Sequence, residues 1–236
     1  MIDTARYLSQ IVVPNVGSKG QQAIQQAKIL VVGAGGLGCP VITYLTAMGI
    51  GIIGIVDDDI VRIGNLHRQV LYSEVQVGQL KVFAAKEKLN AQNATVNILP
   101  FNTRLTQENA AALIEPFDII IDCTDNTPTR YIIDEVTYNL QKPWVYAAVL
   151  QQEGQVAVFN YQNGLRYSHV FADESVFAKQ DNCAIAGIMG YTTGIVGCLQ
   201  VNETIKIILG SNNTLNGFVL SIDLQTLVMR KWKIKH

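Results

Sequence analysis

Residues 28–59, which read KILVVGAGGLGCPVITYLTAMGIGIIGIVDDD, decide the fold that we expect for this chain. Lys28–Val32 is a short apolar, β-branched run, typical of a strand buried on both faces of a parallel sheet. It leads into the glycine-rich turn Gly33–Gly38 and then into a stretch with helical periodicity, Val41–Met48. A second buried strand is predicted at Ile52–Val56, directly before three acids. Strand, glycine turn, helix, strand and acid together indicate a nucleotide-binding βαβ unit.

The glycine turn and the first acid are the candidate ligand-binding residues of this unit. Gly33, Gly35 and Gly38 satisfy the pattern GxGxxG. Such glycines let a ligand approach the helix N-terminus, where unpaired N–H groups and the helix dipole favour phosphate. Asp57 lies 21 residues after Gly36, where a carboxylate can accept hydrogen bonds from ribose hydroxyls. The pattern alone fits a nicotinamide dinucleotide, another nucleotide or a tight turn without a ligand.

Length and composition indicate a compact globule in a reducing compartment. The 236 residues can bury a sizeable core, in one large domain or in two small ones. A content of 49% hydrophobic and only 16% charged residues favours a protein with much covered surface, such as a dimer. A formal net charge of -1 indicates no attraction to nucleic acid or membranes. Four cysteines without a CxxC pair fit free thiols better than disulfides. The N-terminal residues show no secretory signal, so we expect a cytoplasmic protein with no nucleic-acid or membrane partner.

One stretch has nearly the length of a membrane span. Ala184–Asn202 carries no charged residue. It holds four glycines, however, and continues into Glu203 and Lys206. We interpret it as a loop followed by a buried helix whose small residues permit close packing.

The remaining sequence alternates predicted helices and strands. Residues 1–27 are predicted to form two helical pieces; further helices are predicted at Gly78–Asn90, Gln107–Ile114 with Thr106 as N-cap, and Thr129–Leu140. Strands are predicted at Val96–Pro100, Ile119–Asp122 and Trp144–Val149, and then, in antiparallel style, at Gln155–Tyr161, Phe218–Ile222 and Thr226–Trp232. The expected fold is α/β, with a Rossmann-like, mainly parallel sheet, helices on both faces and an antiparallel C-terminal extension. We expect one domain over residues 1–236, with the nucleotide-binding part in 1–150 and a strand-rich extension with a buried helix in 151–236.

Polar residues beyond the predicted strands indicate a phosphate and metal site, because open α/β sheets bind ligands outside the carboxyl ends of their strands. Asn65, Arg68, Lys81 and Asp125 are predicted to lie there. Arginine offers phosphate a planar fork and lysine a point charge, whereas a loop aspartate suits Mg²⁺. The set fits a triphosphate better than a nicotinamide dinucleotide. Taken singly, the two cations fit solvated surface charges, and Asp125 fits a cap of the helix predicted from Thr129.

A set of short motifs spans nearly the whole chain. They are Arg6-Tyr7 with Gln10, Gly20-Gln21, the GAGGLG turn at 33–38, the acids at 57–59, NLHRQ at 65–69, GQLK at 78–81, and CTDN at 123–126 with Arg130. Together they resemble the ThiF/MoeB adenylyltransferases, the bacterial relatives of ubiquitin-activating enzymes. The succession N-x-x-R-Q, G-x-x-K and T-D-N-x-x-x-R makes the resemblance specific.

The resemblance implies an adenylyltransferase that uses ATP and Mg²⁺. Its implied partner is a small ubiquitin-fold sulfur carrier ending in Gly-Gly, whose C-terminal carboxylate attacks the α-phosphorus to give an acyl adenylate and pyrophosphate. A homodimer is also implied. The residues implied for the cofactors are Gly33, Gly35 and Gly36 near the phosphates, Asp57 on the ribose, Asn65, Arg68 and Lys81 around the phosphates, and Asp125 on Mg²⁺, with Asn126 beside it.

The chain departs from the family pattern at two places. Ser9 stands where the family usually has a second arginine, which in the dimer reaches the ATP site of the partner. Many relatives hold a structural zinc with two CxxC pairs, but the first pair would fall at Tyr167 and Val170. We therefore expect no zinc.

One cysteine matches a family position with known chemistry. Cys183 corresponds to the cysteine that some relatives use for covalent transfer, as a thioester or acyl persulfide with the carrier; the alternative is a loop cysteine without chemistry. A helix N-terminus would favour its thiolate. Cys39, Cys123 and Cys198 lie in or beside apolar elements and are interpreted as packing residues.

Three further functional hypotheses remain open beside the sulfur-carrier adenylyltransferase. A degenerate relative that binds nucleotide or carrier without turnover is motivated by Ser9. A nicotinamide oxidoreductase is supported only by GxGxxG. The third is a relative that uses ATP to activate a small molecule or a base in tRNA; the sequence has no basic patch that would support a tRNA partner.

Overall fold

The computed structural model describes residues 3–162, 164–171 and 187–234. The helices are α1 (Thr4–Ile11), α2 (Gly17–Gln26), α3 (Gly38–Met48), α4 (Lys81–Gln92), α5 (Ala110–Ile114), α6 (Thr127–Asn139), α7 (Tyr167–Val170) and α8 (Gly190–Ile208), with short 3-10 turns at Ile63–Asn65 and Glu74–Gln76. The strands are β1 (Lys28–Val32), β2 (Ile52–Val56), β3 (Asn97–Phe101), β4 (Ile119–Asp122), β5 (Trp144–Leu150), β6 (Glu153–Phe159), β7 (Phe218–Asp223) and β8 (Val228–Lys233).

The strands form one eight-stranded sheet in the order β3-β2-β1-β4-β5-β6-β7-β8. Neighbouring strands from β3 to β5 are parallel, and those from β5 to β8 are antiparallel. The predicted Rossmann-like sheet with an antiparallel C-terminal extension is confirmed. The strand order reverses between β1 and β4, which is the point where open α/β sheets bind ligands.

The parallel and antiparallel parts share this continuous sheet. Leu150 pairs with Glu153 across a tight β5–β6 turn, where Gln151 adopts a positive φ of 53°. The boundary that we predicted at 150/151 therefore lies inside a hairpin turn.

Helices cover both faces of the sheet because successive strand residues point in opposite directions. Ile29 and Val31 of β1 pack with α3, α4 and α8, whereas Leu30 and Val32 pack with α5 and α6 on the other face. Both faces are therefore buried, as the near-continuous apolar strands predicted.

Helix α8 is the buried helix expected from the uncharged stretch. Its Gln200 is fully buried and donates from Nε2 to the carbonyl oxygens of Asp122 (2.7 Å) and Val145 (3.3 Å). A Cβ on Gly197 would lie 2.7 Å from the side chain of Pro40, so glycine permits the close contact with α3. Within the described ranges, the structure contains no helix with the length and apolar character of a bilayer span.

Four predicted helix starts differ from those of the structure. Helix α3 begins at Gly38, not at Val41, and α6 begins at Thr127, not at Thr129, whereas α4 and α5 begin later than predicted. Helix α4 begins at Lys81 because Gly78 has a positive φ of 89° and ends the preceding turn. Helix α5 begins at Ala110, not at residue 107, and Thr106 does not cap it with its side chain. Instead, Oδ1 of Asn109 accepts a hydrogen bond from the backbone N–H of Thr106 (2.8 Å), which holds residues 106–109 in a turn directly before the helix.

Candidate nucleotide-binding and active site

A cleft of about 1360 Å³ opens at the carboxyl ends of β1, β2 and β4. It continues along the antiparallel strands as far as Arg230 and Trp232 of β8. The predicted site residues that line it are Gly33, Gly35, Gly36, Asp57, Asn65, Arg68, Lys81, Asp125 and Asn126. Cys183 lies outside the described residues. The fold thus brings together all the predicted cofactor-binding residues, which are spread over more than ninety positions of sequence.

The glycine turn is held in a conformation that side chains would obstruct. Gly33 has φ of 98°, and a Cβ there would lie 2.6 Å from the carbonyl oxygen of Cys123 at the end of the neighbouring strand. A Cβ on Gly36 would lie 3.0 Å from the methyl carbon of Thr193 in α8. The turn therefore presents bare backbone at the start of α3, where phosphate binding is favoured.

Asp57 stabilises this turn as well as lining the cleft. Its Oδ2 accepts a hydrogen bond from the backbone N–H of Ala34 (2.8 Å), and its Oδ1 accepts one from the N–H of Asp59 (2.8 Å). Because each carboxylate oxygen has a second lone pair, these bonds leave acceptor capacity for a ribose hydroxyl.

Lys81 is buried in the cleft and paired with two acids. It is the first residue of α4, is only 5% exposed, and its Nζ lies 2.9 Å from Oδ2 of Asp59 and 4.0 Å from Oδ1 of Asp57. Partial burial alone would raise the pKa of the Asp59 carboxyl, but the hydrogen bond and charge of Lys81 outweigh it and hold that pKa below its ordinary value. Nζ of Lys81 is therefore held in a fixed position between the two acids.

Asp59 and Arg62 were not predicted as site residues. Nη2 of Arg62 lies 2.8 Å from Oδ1 of Asp59, so one carboxylate holds both Arg62 and Lys81. The spacing of three residues between Asp59 and Arg62 is a local pattern that could have indicated the pair.

Arg68 is the cation without a carboxylate partner in the predicted set. Its Nη1 lies 2.8 Å from Nε2 of His67 and donates to the carbonyl oxygen of Gly64 (3.4 Å), and no described carboxylate lies within 4 Å. Nearby, Oδ1 of Asn65 is buried without a hydrogen-bond partner among the described residues. An unneutralised guanidinium and an unsatisfied amide beside a glycine turn fit a bound polyphosphate.

Asp125 projects into the cleft from the loop after β4. It is exposed and makes no hydrogen bond or ion pair with another residue of the described ranges. It does not cap α6, because Asn126 is the N-cap and its Oδ1 accepts from the N–H (3.0 Å) and hydroxyl (2.7 Å) of Thr129. A carboxylate that is exposed in the cleft and has no partner among the described residues fits Mg²⁺, which takes one or two carboxylates together with substrate phosphates. The capping role also commits the oxygen of Asn126, so its amide nitrogen is the group left for a ligand.

A buried ion pair beneath Asp125 was also missed. Nε of Arg130 lies 3.6 Å from Oδ2 of Asp122, which is fully buried at the end of β4. Burial raises the pKa of the Asp122 carboxyl, and the charge of Arg130 opposes that shift. The guanidinium also stands 5.2 Å from the ring centroid of Tyr146. The only sequence signal for Arg130 was its place in the T-D-N-x-x-x-R motif.

The three described cysteines differ from one another. Cys39 and Cys123 are buried, as predicted, and burial raises the pKa of Cys39 to about 12. The prediction that Cys198 is a packing residue was wrong, because it is exposed on α8. Helical periodicity turns Val196, Gly197 and Gln200 toward the core and position 198 outward.

Comparison with known proteins agrees with this geometry. The ThiF family profile matches residues 7–236. The probable molybdopterin-synthase adenylyltransferase of Porphyra purpurea is 45% identical over 98% of this chain and 61% of its own length. The adenylyltransferase and sulfurtransferase MOCS3 of Anopheles gambiae is 42% identical over 99% of this chain and 53% of its own length. The sulfur carrier protein adenylyltransferase of Thermus thermophilus is 39% identical over 98% of this chain and 87% of its own length.

The chain thus spans about half to three fifths of the first two relatives. Among solved structures, PaaA superimposes with a TM-score of 0.84 at 23% identity, over 98% of this chain and 73% of that one. Escherichia coli MccB with ATP superimposes with a TM-score of 0.80 at 20% identity, over 92% and 66% of the two chains. These similarities show the shared fold. The family match and the identities to curated relatives confirm the resemblance carried by the motifs, and the chain belongs to the ThiF family.

Proposed function

We propose that this chain is an ATP-dependent adenylyltransferase that activates the C-terminal glycine carboxylate of a small ubiquitin-fold sulfur carrier. The observation that carries the proposal is the convergence of the glycine turn, Arg68, Lys81 and Asp125 on one cleft at the switch point of the sheet. The names of the relatives from Porphyra purpurea and Thermus thermophilus support the same reaction class.

ATP occupies the parallel-strand end of the cleft in this proposal. The bare backbone of the glycine turn receives phosphate, and Asp57, at the tip of β2, receives the ribose. The buried acceptor of Asn65 lies on the same lining as the guanidinium of Arg68, which has no carboxylate partner among the described residues. A nicotinamide dinucleotide, with two phosphates, would not require the additional cations.

In the reaction, a carboxylate oxygen of the carrier attacks the α-phosphorus. The bond between that phosphorus and the oxygen bridging to the β-phosphate breaks, and pyrophosphate leaves with the electron pair. Arg68 and Lys81 neutralise charge that builds up on the phosphates, which is the main contribution that a protein makes to such transfers. Asp125 would hold Mg²⁺ beside the phosphates, and the ion would supply further charge neutralisation.

The carrier tail enters along the antiparallel part of the cleft. Glu153, Gln155, Ser221 and Arg230 line this part, which leads from β6 and β8 toward the glycine turn. An extended chain end without side chains suits such an approach, because glycine lets backbone come close to backbone.

We further propose that the acyl group then passes to Cys183. The thiolate attacks the acyl carbon, a carbon–sulfur bond forms, and AMP leaves with the electron pair of the broken carbon–oxygen bond. Cys183 lies outside the described residues, so this step is supported by the sequence resemblance alone.

A homodimer in the cytoplasm is the proposed working state. Helix α1 packs near the starts of β2 and β3, where Gln10 donates to the carbonyl oxygen of Met48 (3.3 Å) and the hydroxyl of Tyr7 accepts from Nδ2 of Asn93 (2.8 Å). The cleft lies at the opposite ends of these strands, so α1 lies away from the cleft of its own chain and its outer face is left for a second copy. Light scattering at micromolar concentration should give twice the chain mass.

The deciding experiment is ATP–pyrophosphate exchange with purified candidate carriers that end in Gly-Gly. Exchange should require the intact carrier and vanish when its last glycine is removed. Calorimetric binding of Mg-ATP without exchange, across all carriers of the host genome, would favour a relative that binds without turnover, as Ser9 suggested. NADH binding in the absence of Mg-ATP binding would instead favour an oxidoreductase.

A further inference from the structure

We propose that Arg130 and Asp122 are positioning residues that hold the carboxylate of Asp125 in place for the divalent cation. The inference rests on the proposed function in one respect, the role of Asp125 as a ligand of the metal that accompanies the nucleotide. Neither residue is required to touch the substrate.

The pair holds three atoms of the residue immediately before Asp125. Oδ1 of Asp122 accepts hydrogen bonds from the backbone N–H (2.8 Å) and the hydroxyl (2.6 Å) of Thr124. From the other side, Nη2 of Arg130 donates to the carbonyl oxygen of Thr124 (3.2 Å). The peptide group that joins Thr124 to Asp125 is thus held at its carbonyl oxygen. Thr124 itself is also held at its N–H and at its hydroxyl.

The residue immediately after Asp125 is held as well. Asn126 caps α6 through two hydrogen bonds to Thr129. Asp125 therefore stands between two anchored residues, while its own carboxylate makes no bond to another described residue. A metal ligand requires this combination of fixed backbone and free oxygen atoms, because weakly held ligands lose affinity.

The anchoring groups are themselves buried and fixed. Asp122 is fully buried, the side chain of Arg130 is 12% exposed, and Nη2 of Arg130 also donates to the carbonyl oxygen of Ala147 (3.5 Å). The planar guanidinium of arginine lets Nε face Asp122 while Nη2 donates to Thr124. Lysine has a single ammonium group and cannot make both contacts at the same time. Buried ion pairs are weak contributors to stability, so a positioning role accounts better for the pair than a purely stabilising one.

The same helix offers a matched control. Asp134 of α6 is buried and pairs with Arg166 at 3.1 Å, and its other oxygen accepts from the N–H of Tyr167 (2.9 Å). This ion pair has similar chemistry but anchors α7, with no bond to residues 124–126. Replacing Arg166 tests the cost of losing a buried ion pair on α6 without removing a hydrogen bond of residues 124–126, and it leaves Asp134 to hold Tyr167, which also contacts Arg130.

The experiment is calorimetric titration of α,β-methylene ATP into wild type, Arg130→Lys, Thr124→Val and Arg166→Ala, each with Mg²⁺ and with EDTA. We expect Arg130→Lys to weaken binding about tenfold in Mg²⁺ and to leave binding in EDTA unchanged, as for supporting residues of metal ligands. Arg166→Ala should lower the melting temperature without changing the ratio of the two affinities. Thr124→Val removes one anchoring bond and provides a milder variant should Arg130→Lys fail to fold.

Equal weakening in Mg²⁺ and EDTA would overturn the proposal, because Arg130 would then act on the nucleotide or on the fold as a whole. Unchanged affinities in both Arg130→Lys and Thr124→Val would overturn it too. Titration with the analogue needs no carrier, so these results are independent of whether exchange is observed. Failure of exchange with normal Mg²⁺-dependent binding would count against the proposed function alone.

Discussion

Lys81 and Asp59 form an ion pair inside the cleft, with Nζ 2.9 Å from Oδ2, although 22 residues separate them in sequence. Because Lys81 is almost fully buried, this bond and the start of α4 fix the position of its charge. A phosphate group that enters the cleft meets a cation that needs little reorganisation, which is the condition for strong electrostatic catalysis.

Substitution of Lys81 should therefore impair adenylation. We expect Lys81→Ala to lower the rate of carrier-dependent ATP–pyrophosphate exchange by about two to three orders of magnitude, which corresponds to about 3–4 kcal/mol of lost transition-state stabilisation. Arg104→Ala is the control, because Arg104 is an exposed rim cation that pairs with Asp58 and not with Asp59. Wild-type exchange in a folded Lys81→Ala protein would remove Lys81 from the site.

Arg68 should be equally important because its charge is not neutralised by a described carboxylate. Arg68→Ala is expected to reduce exchange by about two to three orders of magnitude with an unchanged melting temperature, since its contacts are to one carbonyl and one ring nitrogen. His67→Ala removes a neighbouring contact without removing the cation and should retain most activity. If Arg68→Ala and His67→Ala lose the same amount of exchange activity, the loss in Arg68→Ala is not due to removal of the guanidinium charge.

Asp125→Ala should change the response to Mg²⁺ as well as the rate. Its carboxylate is exposed in the cleft and free to bind a hard cation. Titration of Mg²⁺ in the exchange assay should show a higher half-saturating concentration in this variant. Asp58→Ala, which breaks the rim pair with Arg104, serves as the control. An Mg²⁺ titration identical to that of wild type would exclude Asp125 as a metal ligand.

The absence of structural zinc stays a prediction. Tyr167 and Val170 occupy the positions of the first CxxC pair, and the buried ring of Tyr167 packs at 4.6 Å, centroid to centroid, against Phe171. Metal analysis of dialysed protein should give less than about one tenth of a zinc per chain. One tightly bound zinc per chain would show a ligand set that the motifs did not reveal.

Cys183→Ser should separate the two proposed half-reactions. Adenylate formation uses no thiol, so exchange should persist, whereas a reducible covalent adduct with the carrier should disappear. Cys198→Ser is the control, because Cys198 is the exposed cysteine among the described residues. Mass spectrometry after incubation with ATP and carrier distinguishes the outcomes. An adduct that persists in Cys183→Ser but is lost in Cys198→Ser would show that Cys198, in α8, is the nucleophile.

The local sequence determined the parallel part of the fold and predicted which residues line the cleft. Apolar strands, the glycine turn and helical periodicity are short-range patterns, and the carboxyl ends of parallel strands necessarily meet at one edge. For this reason the sequence predicts that Asp57, Asn65, Arg68, Lys81 and Asp125 lie close together, and all five line the cleft.

Only the tertiary structure decided how these residues are held. The bonds of Lys81 to Asp59, and of Gln200 to the end of β4, join residues that are distant in sequence, and no periodicity encodes such pairing. Competition between neighbouring side chains was also settled in three dimensions: Asn126 took the cap of α6 and left Asp125 free, and the rotation of α8 left Cys198 exposed. Sequence patterns specify which groups reach an edge of the sheet, whereas packing and hydrogen-bond geometry specify which of them remain free to act.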